Sequence, residues 1–311
     1  MTGAARRAGG PDVVCVLAEG SYFHGVAALI NSLLRNGFTG TVLVGHRGPA
    51  PAWTAGPLPP GLDLRLLPVP AGWHLTNLKP HLLREALTRH CPEAERAWYF
   101  DADVVVMGPW AHFPRWAAGG VLAALDVADT FMPPCHAFRD AWRALAAEAG
   151  FACREVTGYA NAGFLGVPRP HLAFLDVWQA LLRQREARGA DLSRLRDEAE
   201  WPEFSRADQD VLNAALMASE APYRFLGVEA LGRFPFTHIL GHTMIFEKPW
   251  RRRHIRDALK GFQPDHAERA FWRYAEGPIR SFTPWEWRRK RLERRIARVI
   301  GLFLRRSLME W

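Results

Sequence analysis

The chain has 311 residues, 49% of them apolar and 13 of them Trp, with a formal charge of +8. These values exclude a disordered chain and favour an anionic partner such as nucleotide phosphate, anionic lipid or nucleic acid. The four cysteines (Cys15, Cys91, Cys135, Cys153) contain no C-x-x-C pair, which argues against a zinc site or a disulfide framework.

Residues 1–11 read as a flexible lead of Gly, Ala and Arg without the apolar stretch of a signal peptide. No run approaches the ~18 apolar residues of a membrane span, so a cytoplasmic compartment is expected. Residues 13–17 form a buried strand, 18–21 a turn, and Phe23–Arg35 a helix with Val26, Leu29, Ile30, Leu33 and Leu34 at helical spacing. Asn36-Gly37 stops that helix, and 41–44 is a second strand. Strand, helix, strand is the opening of a parallel α/β sheet, whose ligands bind beyond the C-terminal strand ends. A Pro- and Gly-rich loop (49–60) leads to a strand at 62–69, and a helix at 78–90 carries Lys79 in its first turn. Further strands are expected at 97–100, Val121–Leu125 (ending at Asp126), 162–167, Tyr223–Leu226 and 237–240. Helices are expected at 137–149, 171–185 and 208–219. The charged segment 186–205 reads as a surface insertion or a flap, and no internal repeat interrupts the pattern.

The stretch 98–106 runs Trp-Tyr-Phe-Asp-Ala-Asp-Val-Val-Val. Read as one strand, it projects Asp101 and Asp103 from the same face, because residues two apart share a side. Like charges so close resist desolvation, and a divalent cation such as Mg²⁺ or Mn²⁺ held between them relieves both. The competing reading is a turn after a strand.

Four other stretches carry residue types that suit a metal–nucleotide site. Tyr22-Phe23-His24-Gly25 offers a stacking aromatic and a glycine that permits close helix approach. Asn161-Ala162-Gly163 offers an amide for sugar hydroxyls. Asp208-Gln209-Asp210 opens a helix, where acids also serve as caps. His238-Ile239-Leu240-Gly241-His242, followed by Lys248-Pro249-Trp250, offers imidazole and ammonium groups for metal and phosphate.

In this order the set resembles the GT-A glycosyltransferases of family 8, which include glycogenin, galactinol synthase and bacterial lipopolysaccharide galactosyl- and glucosyltransferases. Asn31-Ser32-Leu33 and Thr76-Asn77-Leu78-Lys79 belong to the same likeness, which spans roughly residues 13–250. The resemblance implies an α/β fold with a mixed, mostly parallel sheet, and Mn²⁺ (or Mg²⁺) held by Asp101, Asp103 and a late His. It implies that Val16, Ala18 and Tyr22 cradle uridine and that Lys79 contacts the donor. Asp101, Ala102, Asp126, Asn161, Ala162 and Gly241 would complete the donor site, with Lys248 on the pyrophosphate. Asp208, Gln209 and Asn161 would stand at the anomeric carbon. The implied reaction is retaining transfer of a hexose from a nucleotide sugar, with UDP-glucose or UDP-galactose expected, to a glycan or glycolipid. The family pattern His-x-x-Gly-x-x-Lys-Pro-Trp is split here. His238 keeps the spacing to Gly241 and His242 keeps the spacing to Lys248, so either fits as the third ligand, with His242 preferred. Ala18 and Glu19 replace the usual Thr-Asn/Asp, which loosens the expectation for uracil.

A nucleotidyltransferase reading needs a Gly-rich basic loop after the first strand, which Ala18-Glu19-Gly20-Ser21 does not supply. An inverting transferase would use Asp208 or Asp210 as base; the non-enzyme alternative is a degenerate nucleotide-sugar-binding module at a membrane surface, against which the intact Asp101, Asp103, Asn161 and Asp208 argue. The domain plan is a lead (1–11), a transferase domain (12–260) and a basic helical segment (261–311). In that segment Leu292, Ile296, Val299, Ile300 and Phe303 form one helical stripe among arginines. Two readings fit: an anionic membrane surface, with the protein peripheral on its inner face, or a stripe packed on the domain. Nucleic acid fits the charge, but no recognised module is present.

Overall fold

The structure is a computed structural model that describes residues 11–195, 202–232, 239–244 and 247–303. Strands β1 (Asp12–Glu19), β2 (Gly40–Arg47), β3 (Leu62–Pro68), β4 (Arg96–Phe100), β6 (Val121–Leu125), β7 (Ala160–Pro168) and β8 (Tyr223–Leu226) build one sheet in the order β3-β2-β1-β4-β7-β6-β8. All neighbours are parallel except the two pairs made by β7. Strands β5 (Val104–Val106) and β9 (Leu240–His242) form a separate antiparallel pair. The fold is thus a mixed, mostly parallel α/β sheet flanked by helices.

Both faces of the sheet are covered, which is why its strands read as continuous apolar runs. Val14, Val16 and Ala18 of β1 pack with helix α1 (Phe23–Arg35) on one face. Val13, Cys15 and Leu17 face helices α2 (Lys79–Glu85), α4 (Ala137–Glu148), α5 (Ala173–Ala187) and α6 (Ala207–Ala218) on the other. A short helix α3 (His112–Ala117) adds Phe113 to the aromatic packing around Trp98. At the edge away from the site, Asp12 accepts hydrogen bonds from Arg96 (2.6 Å), Trp98 (3.0 Å) and Trp110 (3.1 Å). That buried acid holds β1 to β4 and to the Trp110 loop.

Two sequence expectations change here. The stretch 98–106 is not one strand: β4 stops at Phe100, and Asp101–Asp103 form a turn closed by the Val104 amide on the Asp101 carbonyl (3.0 Å). The helix expected at 78–90 is a 3₁₀ turn (Leu75–Leu78), α2 and a wider π-turn (Ala86–His90). Residues 237–238 of the expected strand at 237–240 lie outside the described residues, and β9 begins at Leu240. The described flanks of the charged segment 186–205 are anchored by the buried side chains Leu192 and Phe204.

Helices α7 (His254–Leu259), α8 (His266–Tyr274) and α9 (Pro284–Phe303) follow. Asn31 ties this segment to α1: its amide donates to the carbonyls of Tyr274 and Ile279 (both 2.9 Å) and its oxygen accepts from the Ile279 amide (3.0 Å). Ser32 accepts the Val106 amide at 2.8 Å and fixes β5. No described helix is long and apolar enough to cross a membrane.

Candidate active site

A cleft of about 390 Å³ opens where β1 and β4 end and antiparallel β7 begins. Because β7 runs against β4, its first residues lie beside the last residues of β4, and the Asp101 amide donates to the Gly163 carbonyl (2.9 Å). The β5/β9 pairing sets His242 opposite Val104, one residue from Asp103. Topology therefore gathers three chain segments that are far apart in sequence.

Asp101, Asp103 and His242 each bring one ligand atom within 4.8 Å of the other two. Asp103 Oδ1 lies 3.5 Å from His242 Nε2. Lys248 donates to Asp103 Oδ2 and to the Thr243 carbonyl (3.2 Å). Burial alone would raise the Asp103 carboxyl, yet His242 and Lys248 outweigh it and hold the group well below the usual carboxylate range. The group is thus a carboxylate at neutral pH. Two carboxylates and one imidazole suit a divalent cation of the Mn²⁺ or Mg²⁺ kind; His242 Nε2 faces Asp103, and its Nδ1 is buried with no hydrogen-bond partner among the described residues. The residues fit a metal. His238 lies outside the described residues.

The turn that carries the two acids is pressed against α1. A Cβ on Gly25 would lie 1.8 Å from the Ala102 carbonyl oxygen, so only glycine allows this contact. Tyr22 flanks the same corner, edge-on to Trp250 (5.5 Å), with the Arg251 guanidinium 5.1 Å from its ring.

Lys79 is buried between two acids. Its ammonium is 3.1 Å from Asp101 Oδ1 and 2.7 Å from Asp208 Oδ2, and it also donates to the Ala162 carbonyl (2.9 Å). Burial would lower its pKa, but Asp101 and Asp208 more than compensate and keep it charged. Tyr99 completes this link, donating to Asp101 Oδ1 at 2.9 Å. One lysine thus couples Asp101 to Asp208 at the start of α6.

The first two turns of α6 clamp the start of β7. Gln209 accepts from the Ala162 amide (3.1 Å) and donates to Asp126 Oδ2 (3.2 Å). Asn213 accepts from the Ala160 amide (2.7 Å) and donates to its carbonyl (2.9 Å). Asp210 accepts from the Tyr159 hydroxyl (2.6 Å) and the Arg206 amide (2.8 Å). Asn161 donates to Asp126 Oδ2 (2.8 Å) and accepts from the Gly163 amide (2.9 Å). Asp126 also caps the Ala128 amide (2.8 Å). Burial works against its charge, but Asn161, the Ala128 amide, Arg206 and Gln209 together lower its pKa.

Of the residues expected from the sequence, Ala18, Tyr22, Lys79, Asp101, Ala102, Asp103, Asn161, Ala162, Asp208, Gln209, His242 and Lys248 all line the cleft. Val16 does not; it is fully buried in the core beneath the cleft floor. Asp126 stands behind Asn161 and Gln209, and Gly241 is buried in β9 against Val105 and Ala270. Among the residues not foreseen, Glu19, His74, Tyr99, Leu195 and Met244 also line the cleft. Period-two alternation from Asp101 would have found Tyr99, and Glu19 ends β1; His74, Leu195 and Met244 sit outside strands and α-helices, with no local signature.

No known protein-family profile matches the chain. No curated protein matches it. Solved structures do match in fold. WbbM, a bifunctional glycosyltransferase in its apo form, aligns with a TM-score of 0.52 at 13% identity over 95% of this chain and 53% of its own. An active-site mutant of LgtC aligns with a TM-score of 0.50 at 16% identity over 89% of this chain and 99% of its own. The glycosyltransferase GlyE of Streptococcus pneumoniae TIGR4 aligns with a TM-score of 0.52 at 14% identity over 96% of this chain and 65% of its own. This chain spans about half the length of WbbM. At these identities the likeness is one of fold, and the fold is the GT-A fold of glycosyltransferases.

Proposed function

We propose that this protein is a metal-dependent, retaining hexosyltransferase. Its donor would be a nucleotide diphosphate sugar, with UDP-glucose or UDP-galactose expected, and its acceptor a glycan or glycolipid. The observation that carries this reading is the meeting of Asp101, Asp103 and His242 with Lys248 in the same cleft as Asp208.

In this reading Asp101, Asp103 and His242 hold Mn²⁺ or Mg²⁺, with His242 rather than His238 as the third ligand. The ion would neutralise charge developing on the departing diphosphate. Lys248, which pairs with Asp103, would supply a second positive charge for the same oxygens. Ala18 and Tyr22 flank the base and ribose end. Lys79 holds Asp101 and Asp208 at fixed separation, so the leaving-group side and the anomeric side stay in register.

Retention by double displacement requires a carboxylate free to attack. Asp208 is charge-paired with Lys79, and Asn161 and Gln209 are committed to Asp126 and to backbone amides. These commitments favour a short-lived oxocarbenium ion stabilised by Asp208 over a covalent ester. The pairing with Lys79 also disfavours Asp208 as an inverting base, and the other candidate, Asp210, does not line the cleft.

The test is release of nucleoside diphosphate from a panel of nucleotide sugars with Mn²⁺, for wild type and Asp103→Asn. Turnover of one donor, lost on chelation and lost in the variant, is expected. Equal turnover in both proteins, or none with any donor, refutes the proposal.

A further inference from the structure

Helix α9 packs on the domain through a face of basic and small residues. Lys290, Ala297 and Gly301 are its buried residues, and Arg294 lies between them at helical spacing. Lys290 donates to the Arg252 carbonyl at 2.8 Å, and the Arg294 guanidinium lies 4.3 Å from the Trp272 ring centre. Most of the apolar stripe faces the other way. Trp285, Leu292, Val299, Leu302 and Phe303 are between 55% and 83% exposed, and Ile296 is 40% exposed. Of the stripe, Ile300 is half-buried and Leu292 and Ile296 border a groove, while Val299 and Phe303 stand clear of the domain.

A groove of about 560 Å³ runs between α9 and residues 250–255. Arg251, Arg253 and Arg289 line it together with Ile255, Leu292 and Ile296, and its one acid, Glu293, lies 3.9 Å from Lys290. It is cationic and apolar at once. Among the described residues, neither Arg253 nor Arg289 has a carboxylate within ion-pair distance. Arg288, Arg291, Arg295 and Arg298 are exposed on the helix flanks. Leu259, one turn beyond Ile255 on α7, is 60% exposed and extends the apolar side.

We infer that this face docks on an anionic phospholipid bilayer. The stripe enters the acyl boundary, the arginines meet the phosphates, and the groove receives one headgroup phosphate between Arg253 and Arg289. A second copy is a poor occupant, because a two-fold interface would set these arginine-rich faces against each other. The same chain segment reaches the catalytic cleft: Lys248 lines it, and Trp250 and Arg251 both pack on Tyr22, which also lines it. Docking therefore brings the cleft mouth near the headgroup layer, where a lipid-borne acceptor would present its hydroxyl; this last step rests on the transfer reading.

Cosedimentation of the whole chain with vesicles tests the inference, with no metal or donor present. Vesicles of equal parts phosphatidylcholine and phosphatidylglycerol are expected to bind at least about tenfold more tightly than pure phosphatidylcholine, with binding weakening as salt rises. Arg253→Glu with Arg289→Glu is expected to weaken binding at least about tenfold, from about 1 kcal/mol per basic residue at the surface. Leu292→Ser with Val299→Ser is expected to abolish binding, and these exposed substitutions should leave the thermal midpoint in place. If the variants do not fold, quenching of wild-type fluorescence by brominated lipid, set against Trp285→Phe, reads insertion directly. The inference is overturned by absence of binding to anionic vesicles, by variants that bind as wild type, or by no quenching at Trp285. Self-association seen by light scattering, abolished by Leu292→Ser and without vesicle binding, would overturn it in favour of a dimer face. Vesicle binding without donor turnover would refute only the proposed reaction.

Discussion

Gly25→Ala probes the contact that positions the acidic turn. The new Cβ would stand 1.8 Å from the Ala102 carbonyl oxygen, where ordinary contact begins at 3.4 Å, so helix and turn must part by about 1.6 Å. Helix α1 cannot easily give, because Asn31 and Ser32 fasten it to residues 274–279 and to β5. The turn must therefore move, and Ala102 carries Asp101 and Asp103 with it. Metal–ligand distances tolerate only about 0.2 Å, and a misplacement of about 1 Å in a catalytic array costs about 100-fold in rate. The expected result is at least about 100-fold lower turnover with clearly weakened Mn²⁺ binding. Overpacking should cost only about 1–3 kcal/mol of stability. Nucleoside diphosphate release, Mn²⁺ titration by electron paramagnetic resonance and urea unfolding separate these effects. A folded Gly25→Ala protein with wild-type Mn²⁺ affinity and turnover would refute the reasoning.

Three further predictions follow from the same geometry. Lys79→Met strips the cation from between Asp101 and Asp208, and should cost roughly 3 kcal/mol in urea unfolding, the lower end for a broken buried pair because cleft water reaches both acids; Lys79→Arg should not rescue it. Gly163→Ala places a Cβ 2.5 Å from His242 Cε1 and should weaken Mn²⁺ binding about 10–100-fold without changing a ligand, as loss of a positioning contact does; unchanged affinity would show that the imidazole is free to turn. Burial pushes the Asp210 carboxyl up to about 7, against the lowering effect of Tyr159 and Arg206. Its folded pKa is raised, so its contribution is complete below the unfolded value near 4 and is lost as pH rises through about 7, on the order of 4 kcal/mol in all. Asp210→Asn should flatten that part of the stability–pH curve, and an equally steep curve in the variant would assign the slope to another group.

Helix α1 is readable to the residue, and most sheet strands to within two or three, because a sheet covered on both faces prints unbroken apolar runs and α1 prints a strong helical period. Their spatial order is not readable. Strand β7 inserts antiparallel between β4 and β6, a pairing of distant segments with no local mark. Of the two readings, one strand face or a turn after a strand, the structure gives the turn to the two acids. They still converge, because the turn and the β5/β9 pair bring His242 to them. Some motif residues proved structural: Asn31 and Ser32 hold α1 to its neighbours, and Asn77 donates to the Leu192 carbonyl at 2.9 Å. A sequence motif records that a residue type is needed, and the hydrogen-bond partner decides for what.

That distinction divides the site itself. Asn161, Gln209, Asn213 and Asp126 spend their polar atoms on one another and on backbone amides, so they form a stiff wall at the start of β7. Asp101, Asp103, His242, Lys248 and Asp208 are held by charges rather than by saturated hydrogen bonds, and charges can be exchanged for those of a bound ion and diphosphate. Lys248 sits on Asp103, where it keeps a buried carboxylate neutralised. A cation bound between Asp101 and Asp103 would take over that task and release Lys248 toward an anionic ligand. Metal and diphosphate binding should therefore be mutually reinforcing, and in Lys248→Met the two should bind more nearly independently. Calorimetric titration of nucleoside diphosphate with and without Mn²⁺, in wild type and variant, measures that coupling, and equal coupling in both proteins would show that Lys248 takes no part in it.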